Sequence, residues 1–259
     1  MRRPVIAGNW KMHKTKEEVE AFNKAFLKNL EVLSGRNSEI VLFPPHLYIE
    51  QVSKEINGYD HFNCGGQDCH EKDEGAFTGD ISPKMIADAG GNYVIIGHSE
   101  RRAYHVETNE QLRNKVLAAL RNGLTPVYCC GESKADRDNG RQEEVVKQQV
   151  TEGLPSDIDK LVVAYEPVWA IGTGETATPE QAQEMHAFIR NQLNQHLEHT
   201  KGTEVPIIYG GSVKPDNANA LFSCEDIDGA LAGGSSLDPE KFFAILNEME
   251  KIYTFQVHK

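Results

Sequence analysis

Ala164-Tyr-Glu-Pro-Val-Trp-Ala-Ile-Gly-Thr-Gly174 is the stretch that decides the reading of this chain. The run before it, Leu161-Val162-Val163-Ala164, is short, β-branched and unalternated, the pattern of a strand buried on both faces. Glu166 stands at the end of that strand. Pro167 disfavours helical geometry at Glu166 and so fixes where the carboxylate leaves the sheet. Val168 to Ile171 form a mostly apolar segment between Pro167 and the pair Gly172 and Gly174. Thr178-Pro179-Glu180-Gln181 then supplies an N-cap, a first-turn proline and a capping-box glutamine, which predicts a helix from there. A mostly apolar segment after a carboxylate reads either as a loop packed over a barrel rim or as a lid, a stiff flap between two hinges, the second at Glu175, that closes over the carboxylate and expels water.

Outward from this unit the same strand-then-helix grammar repeats. Pro4 to Gly8, Ile40 to Phe43, Phe62 to Gly66, Tyr93 to Ile96, Thr125 to Cys130, Pro206 to Tyr209 and Ile227 to Ala232 read as the other seven strands. Thr15-Lys-Glu-Glu18 and Thr108-Asn-Glu-Gln111 are capping boxes, Ser82-Pro83 and Asp238-Pro239 are further helix starts, and Gly90-Gly91 is a stop. Val19, Phe22, Phe26 and Leu30 fall on one helical face, as do Ala182, Met185, Ile189 and Leu193. The charged run Lys134 to Arg141 reads as a solvated loop. Eight units without a linker predict an α/β fold, a (β/α)8 TIM barrel in one domain over residues 1–259, with Ile252–Lys259 a C-terminal extension of no assigned function.

Composition narrows the function classes. With 27 Lys and Arg against 39 Asp and Glu, the net charge is -12, which argues against nucleic acid or an anionic membrane as partner. An anionic substrate then requires a locally positive pocket. Five cysteines, two of them adjacent (Cys129, Cys130), show no zinc or CxxC spacing and fit a reducing cytoplasm. Asn9 and Lys11 interrupt the apolar run after Arg2-Arg3 too early for a signal peptide, and no stretch is long enough to span a bilayer.

The fold reading collects chemistry at one end. Asn9 and Lys11 follow strand one, His98 and Glu100 strand four, Glu166 strand six, Gly210 to Ser212 strand seven, and Gly233-Gly234 strand eight, all at the C-terminal mouth where such barrels hold their sites. Taken singly, a lysine here is a solvated surface group and a Gly-Gly pair is a turn. Together, small residues after strands seven and eight let backbone N–H groups approach a phosphate. Glu166 then offers a base, His98 a proton donor and Lys11 a fixed positive charge, a set suited to proton removal beside a carbonyl. No carboxylate or histidine cluster completes a metal site around His98, and there is neither a GxGxxG fingerprint nor a P-loop ending. A non-catalytic phosphate-binding barrel or interaction protein stays open as the alternative, whereas a Schiff-base aldolase would want a lysine where strand six has Glu166.

Asn9-Trp-Lys-Met12, Gly75-Ala-Phe-Thr-Gly79, Gly97-His-Ser-Glu-Arg-Arg102, the Ala164 to Gly174 stretch, Tyr209-Gly-Gly-Ser-Val213 and Gly233-Gly234 together resemble the motifs of the triosephosphate isomerase family. The resemblance covers almost the whole chain. It implies interconversion of dihydroxyacetone phosphate and D-glyceraldehyde 3-phosphate without cofactor or metal, with Glu166 moving the proton, neutral His98 serving the two oxygens and Lys11 stabilising charge. It further implies that Asn9 and the backbone at Gly172, Ser212, Gly233 and Gly234 bind substrate, that Glu100, Ser99 and Thr78 support the site, and that the loop Gln67–Gly79 forms a homodimer in which Thr78 reaches the partner's site. The chain departs from the pattern at Glu175, where lysine is common, at His13-Lys14, where Asn-Gly is frequent, at Asp68 and at His105-Val106.

Overall fold

The computed structural model describes residues 2–33, 36–171 and 176–257, and from Phe255 onward only the backbone. Eight parallel strands close in sequence order into a barrel: β1 (Val5–Asn9), β2 (Glu39–Phe43), β3 (Phe62–Gly66), β4 (Tyr93–Ile96), β5 (Thr125–Cys130), β6 (Val162–Tyr165), β7 (Ile207–Tyr209) and β8 (Gly229–Ala232). β8 returns to β1 through the register Val5 to Gly229 and Gly8 to Ala232, so the sheet has no free edge. The expected (β/α)8 TIM barrel is present. Strand eight begins at Gly229, two residues later than its apolar pattern suggested; just before it the Asp228 carboxylate accepts from the Ile207 amide (2.9 Å) and from Arg190 (2.7 Å).

Strand parity divides the core in two. Val5, Ala7, Val41, Ile95, Val127, Cys129, Val162, Ala164, Ile208 and Leu231 pack inside the barrel. Their sequence neighbours, such as Ile6, Tyr128, Val163 and Ile207, pack outward against the helices. Both faces are therefore apolar, which is why these strands carry no polar alternation. The inner row also points at the mouth: continuing by two residues from Ala7, Ala164, Ile208 and Leu231 gives Asn9, Glu166, Gly210 and Gly233.

The outer layer is helical. α1 (Lys16–Leu30), α5 (Asn109–Arg121) and α8 (Pro179–His196) each begin at a complete capping box, on Thr15 with Glu18, Thr108 with Gln111 and Thr178 with Gln181. α2 (Ile49–Glu55), α3 (Pro83–Asp88), α7 (Gln142–Gly153), α9 (Pro215–Phe222) and α10 (Pro239–Val257) complete the outer ring. α10 runs straight through Ile252, which packs on the core, so the proposed extension is a continuation of that helix as far as Val257.

Two short helices were not expected. α4 (Ser99–Tyr104) follows β4 directly. α6 (Lys134–Asp138) replaces the solvated loop read from the charged run. Ser133 caps α6 by accepting from the Asp136 amide (3.2 Å), and Arg137 turns inward onto Glu132 (3.0 Å). The run is helical over Lys134–Asp138 yet stays largely exposed, as its composition says, and only Arg137 turns to a buried partner.

Candidate active site

A cavity of about 880 Å³ opens at the C-terminal end of the barrel, lined by Asn9, Lys11, His98, Glu100, Glu166, Ser212, Gly233 and Gly234 among others. Every described residue that the sequence nominated for substrate contact thus reaches one space. Ser99 stands behind Glu166 in an adjoining cavity, and Thr78 is exposed on its loop and does not line the site of its own chain. Gly172 and the hinge residue Glu175 lie outside the described residues.

Glu166 is only 2 % exposed, and its surroundings hold its arm closely. Its amide donates to the Cys130 carbonyl (2.8 Å), which extends the β5–β6 ladder by one residue. Oε2 accepts from the Ser99 amide (2.8 Å) and Oε1 from Ser99 Oγ (3.3 Å), while His98 Nε2 lies 3.1 Å from Oε1. Two glycines make room for this arm. A Cβ on Gly131 would fall 1.7 Å from the Glu166 carbonyl oxygen, and one on Gly210 would fall 2.8 Å from Glu166 Cγ. Gly210, read from the sequence as part of a phosphate corner, owes its identity to the base.

His98 is the N-cap of α4, and its Nδ1 accepts the Glu100 amide (3.2 Å). An acceptor nitrogen carries no proton. The imidazole in this geometry is therefore neutral, with its N–H on Nε2, the nitrogen that faces Glu166 and the cavity.

Lys11 is held in the left-handed region (φ 51°), which costs a lysine roughly 1 kcal/mol or more. Three bonds hold it there. Its amide donates to Asn9 Oδ1 (3.0 Å), its carbonyl accepts from Gln67 Nε2 (2.8 Å), and its ammonium donates to Glu100 Oε1 (2.6 Å). Gln67 also donates to the Phe43 carbonyl (2.9 Å) and so locks the β1 and β2 loops together. Sequence reading had placed Gln67 only in an interface loop. Nothing local marks it, since its partners are 56 and 24 residues away.

Beside the base, Glu132 is fully buried and accepts from Tyr165 Oη (3.0 Å), Trp169 Nε1 (2.8 Å) and Arg137 (3.0 Å). Burial, with Glu132 alongside, pushes the Tyr165 hydroxyl pKa well up, so it remains a donor. Trp169 belongs to the apolar segment after Pro167, and Arg137 stacks on its ring at 5.0 Å. That segment is thus anchored at its first end by one buried carboxylate. Burial likewise pushes the Cys130 thiol up to about 12 and Cys129 well above its ordinary value, which leaves both as packing groups. All five cysteines are unpaired.

Among the described residues no group of three or more His, Cys, Asp or Glu side chains is placed to hold a metal ion, and no helix is long and apolar enough to cross a membrane. The cavity holds a carboxylate, a neutral imidazole and an ammonium, with Gly233 close beside the Lys11 side chain. Fold and site together define an acid–base enzyme built on a (β/α)8 barrel.

The family model described as triosephosphate isomerase matches residues 4–249. A triosephosphate isomerase of Cytophaga hutchinsonii is 50% identical over 251 residues, which cover 95% of this chain and 98% of that protein. One of Alkalilimnicola ehrlichii is 46% identical over 250 residues, with the same coverage. The crystal structure of triosephosphate isomerase from Bartonella henselae superposes with a TM-score of 0.86 at 37% identity, covering 95% of this chain and 98% of that one. The chain belongs to the triosephosphate isomerase family, and it is an isomerase.

Proposed function

We propose that the protein interconverts dihydroxyacetone phosphate and D-glyceraldehyde 3-phosphate through an enediolate, with Glu166 as the proton carrier. Glu166 takes a proton from one substrate carbon and returns it to the neighbouring one. His98 donates from Nε2 to the oxygen on which negative charge develops, and Lys11 offsets that charge from a fixed position. Asn9 and the backbone at Ser212, Gly233 and Gly234, with Gly172 outside the described residues, bind the substrate and its phosphate. Glu166 must exchange its two Ser99 bonds for the substrate, so Ser99 serves as the resting seat of the base. Glu100 orients Lys11 through its carboxylate and His98 through its amide. The observation that carries this reading is the His98 tautomer: the Glu100 amide leaves the imidazole proton on Nε2, 3.1 Å from the carboxylate.

The test is isomerase turnover of the purified protein in a coupled assay with chelator present. Glu166→Gln should abolish turnover while inorganic phosphate still binds. Persistent turnover in that variant removes the base from the mechanism, and phosphate binding without turnover in the parent favours the inert phosphate-binding barrel.

A second copy of the chain is the partner we infer for one face of the molecule. Met12 (94% exposed), Leu47, Phe77, Met85, Tyr104 and Val106 (75%) are large apolar side chains left in water. All six follow strands β1 to β4, and their burial in a homodimer would bring the Gln67–Gly79 loop, with Thr78, to the partner's cavity. Sedimentation at micromolar concentration should give twice the mass of the 28.9 kDa chain, and a monomer at that concentration refutes the dimer. The unpaired cysteines fit work in a reducing compartment such as the cytoplasm.

A further inference from the structure

The loop between β1 and α1 contains a second lysine in the left-handed region, Lys14 at φ 78°. That conformation strains any residue with a Cβ, so the contacts of the Lys14 side chain must offset it. Lys14 has an anchor. Its ammonium lies 5.1 Å from the centroid of the Trp10 ring and 4.8 Å from that of Phe22, and donates to the Leu237 carbonyl (2.9 Å). Trp10 Nε1 donates to the neighbouring carbonyl of Ser236 (3.0 Å). One loop therefore grips two successive carbonyls at the end of the turn Gly234–Leu237. The start of the same turn is the glycine corner of the cavity: Ser236 donates to the Gly233 carbonyl from its amide (2.9 Å) and from Oγ (2.7 Å), so displacement of one end is passed to the other. Ser235 Oγ ties the turn to the Val213 carbonyl (2.6 Å), on the far side of the corner.

We propose that Lys14 is a positioning residue for substrate phosphate: seated on Trp10 and Phe22 and bonded to Leu237, its ammonium fixes the turn whose other end presents Gly233 and Gly234 to the cavity. The proposal rests on the reading of that corner as the phosphate site. Two aromatic faces and one carbonyl seat the cation, the Glu18 and Asp238 carboxylates act on its charge, and all three direct contacts need the charge or its N–H. Lys14 itself touches no substrate.

The test compares Lys14→Met, which keeps the stem and removes the cation, with Lys14→Gly, which also removes the cation but relieves the φ 78° backbone and so protects folding. The measurements are KM for the triose phosphate and the inhibition constant of inorganic phosphate as competitor, taken well below each melting temperature. Both constants should rise together, about fivefold or more, in both variants, and Lys14→Arg should restore them. Values within twofold of the parent in either variant overturn the proposal even if the melting temperature falls, since a merely structural lysine changes stability without changing phosphate affinity. A parent that turns over triose phosphate but is not inhibited by inorganic phosphate refutes the reading of the corner, and a parent without turnover refutes the proposed reaction itself.

Discussion

Shortening the base by one carbon, Glu166→Asp, is the sharpest perturbation this site allows. The substitution withdraws the carboxylate by about 1.5 Å, one carbon–carbon bond. In the parent the carboxylate is met by Ser99 N at 2.8 Å and His98 Nε2 at 3.1 Å, so a retreat of that size leaves both bonds stretched beyond hydrogen-bond range. It also places the base outside the separation at which a carbon-bound proton transfers. A misplacement of about 1 Å costs on the order of 100-fold in rate, equivalent to about 2.7 kcal/mol of activation free energy. KM should change little, because Asn9, Ser212, Gly233 and Gly234 are untouched, so the loss should fall on kcat. Folding should persist, at the cost of one missing methylene, about 1 kcal/mol. Steady-state kinetics in both directions, with a thermal melt as control, give the answer. A kcat within threefold of the parent, in a variant that melts normally, would falsify the assignment of Glu166 as the proton carrier.

Further outcomes follow from neighbouring groups. Gly210→Ala places a methyl 2.8 Å from Glu166 Cγ and 3.1 Å from the Tyr165 carbonyl oxygen, so kcat should fall about tenfold or more with an unaltered fold; an unchanged kcat would mean that the arm yields freely. Val106 is a β-branched, exposed residue at φ 53°, and Val106→Gly should stabilise the monomeric fold by about 1 kcal/mol, a rise of roughly 2–4 °C in melting temperature. A lower melting temperature would show that the side chain contributes more than its strain costs. His186 is fully buried, with its pKa lowered to about 3 mainly by burial. Because the unfolded chain binds a proton near 6.5 and the folded chain does not until about 3, stability should decline as pH falls through that window, by about 1.4 kcal/mol per unit from this residue. His186→Gln should remove one proton from the slope of unfolding free energy against pH, measured by urea titration between pH 6 and 4, and an unchanged slope would mean that another group carries the acid sensitivity.

Much of the architecture was written in local patterns. A capping box needs only residues three apart, so Thr15 with Glu18, Thr108 with Gln111 and Thr178 with Gln181 announced their helices, and all three form both reciprocal bonds. Apolar runs without alternation announced strands covered on both faces, and eight of them between helices left a closed barrel as the economical solution. Residues at strand ends then had to share one mouth. What the local pattern missed was decided at a distance. Lys134 to Arg141 looks solvated until Glu132 and Trp169 supply partners for Arg137, and Gln67 is an unremarkable polar residue until the Lys11 and Phe43 carbonyls come within reach.

The amino-acid order by itself determined the eight strands and the principal helices between them, though not the short α4 and α6, and hence that Asn9, Lys11, His98 and Glu166 occupy one end of a barrel. Periodicity and capping act over a few residues and survive in any context. Tertiary structure alone decided what seats the carboxylate and what holds two lysines at positive φ. The seat of the carboxylate and the grip on the Lys11 carbonyl depend on bonds from Ser99 and Gln67, far along the chain, that exist only once the barrel has closed, whereas the His98 tautomer is set within its own turn by the Glu100 amide.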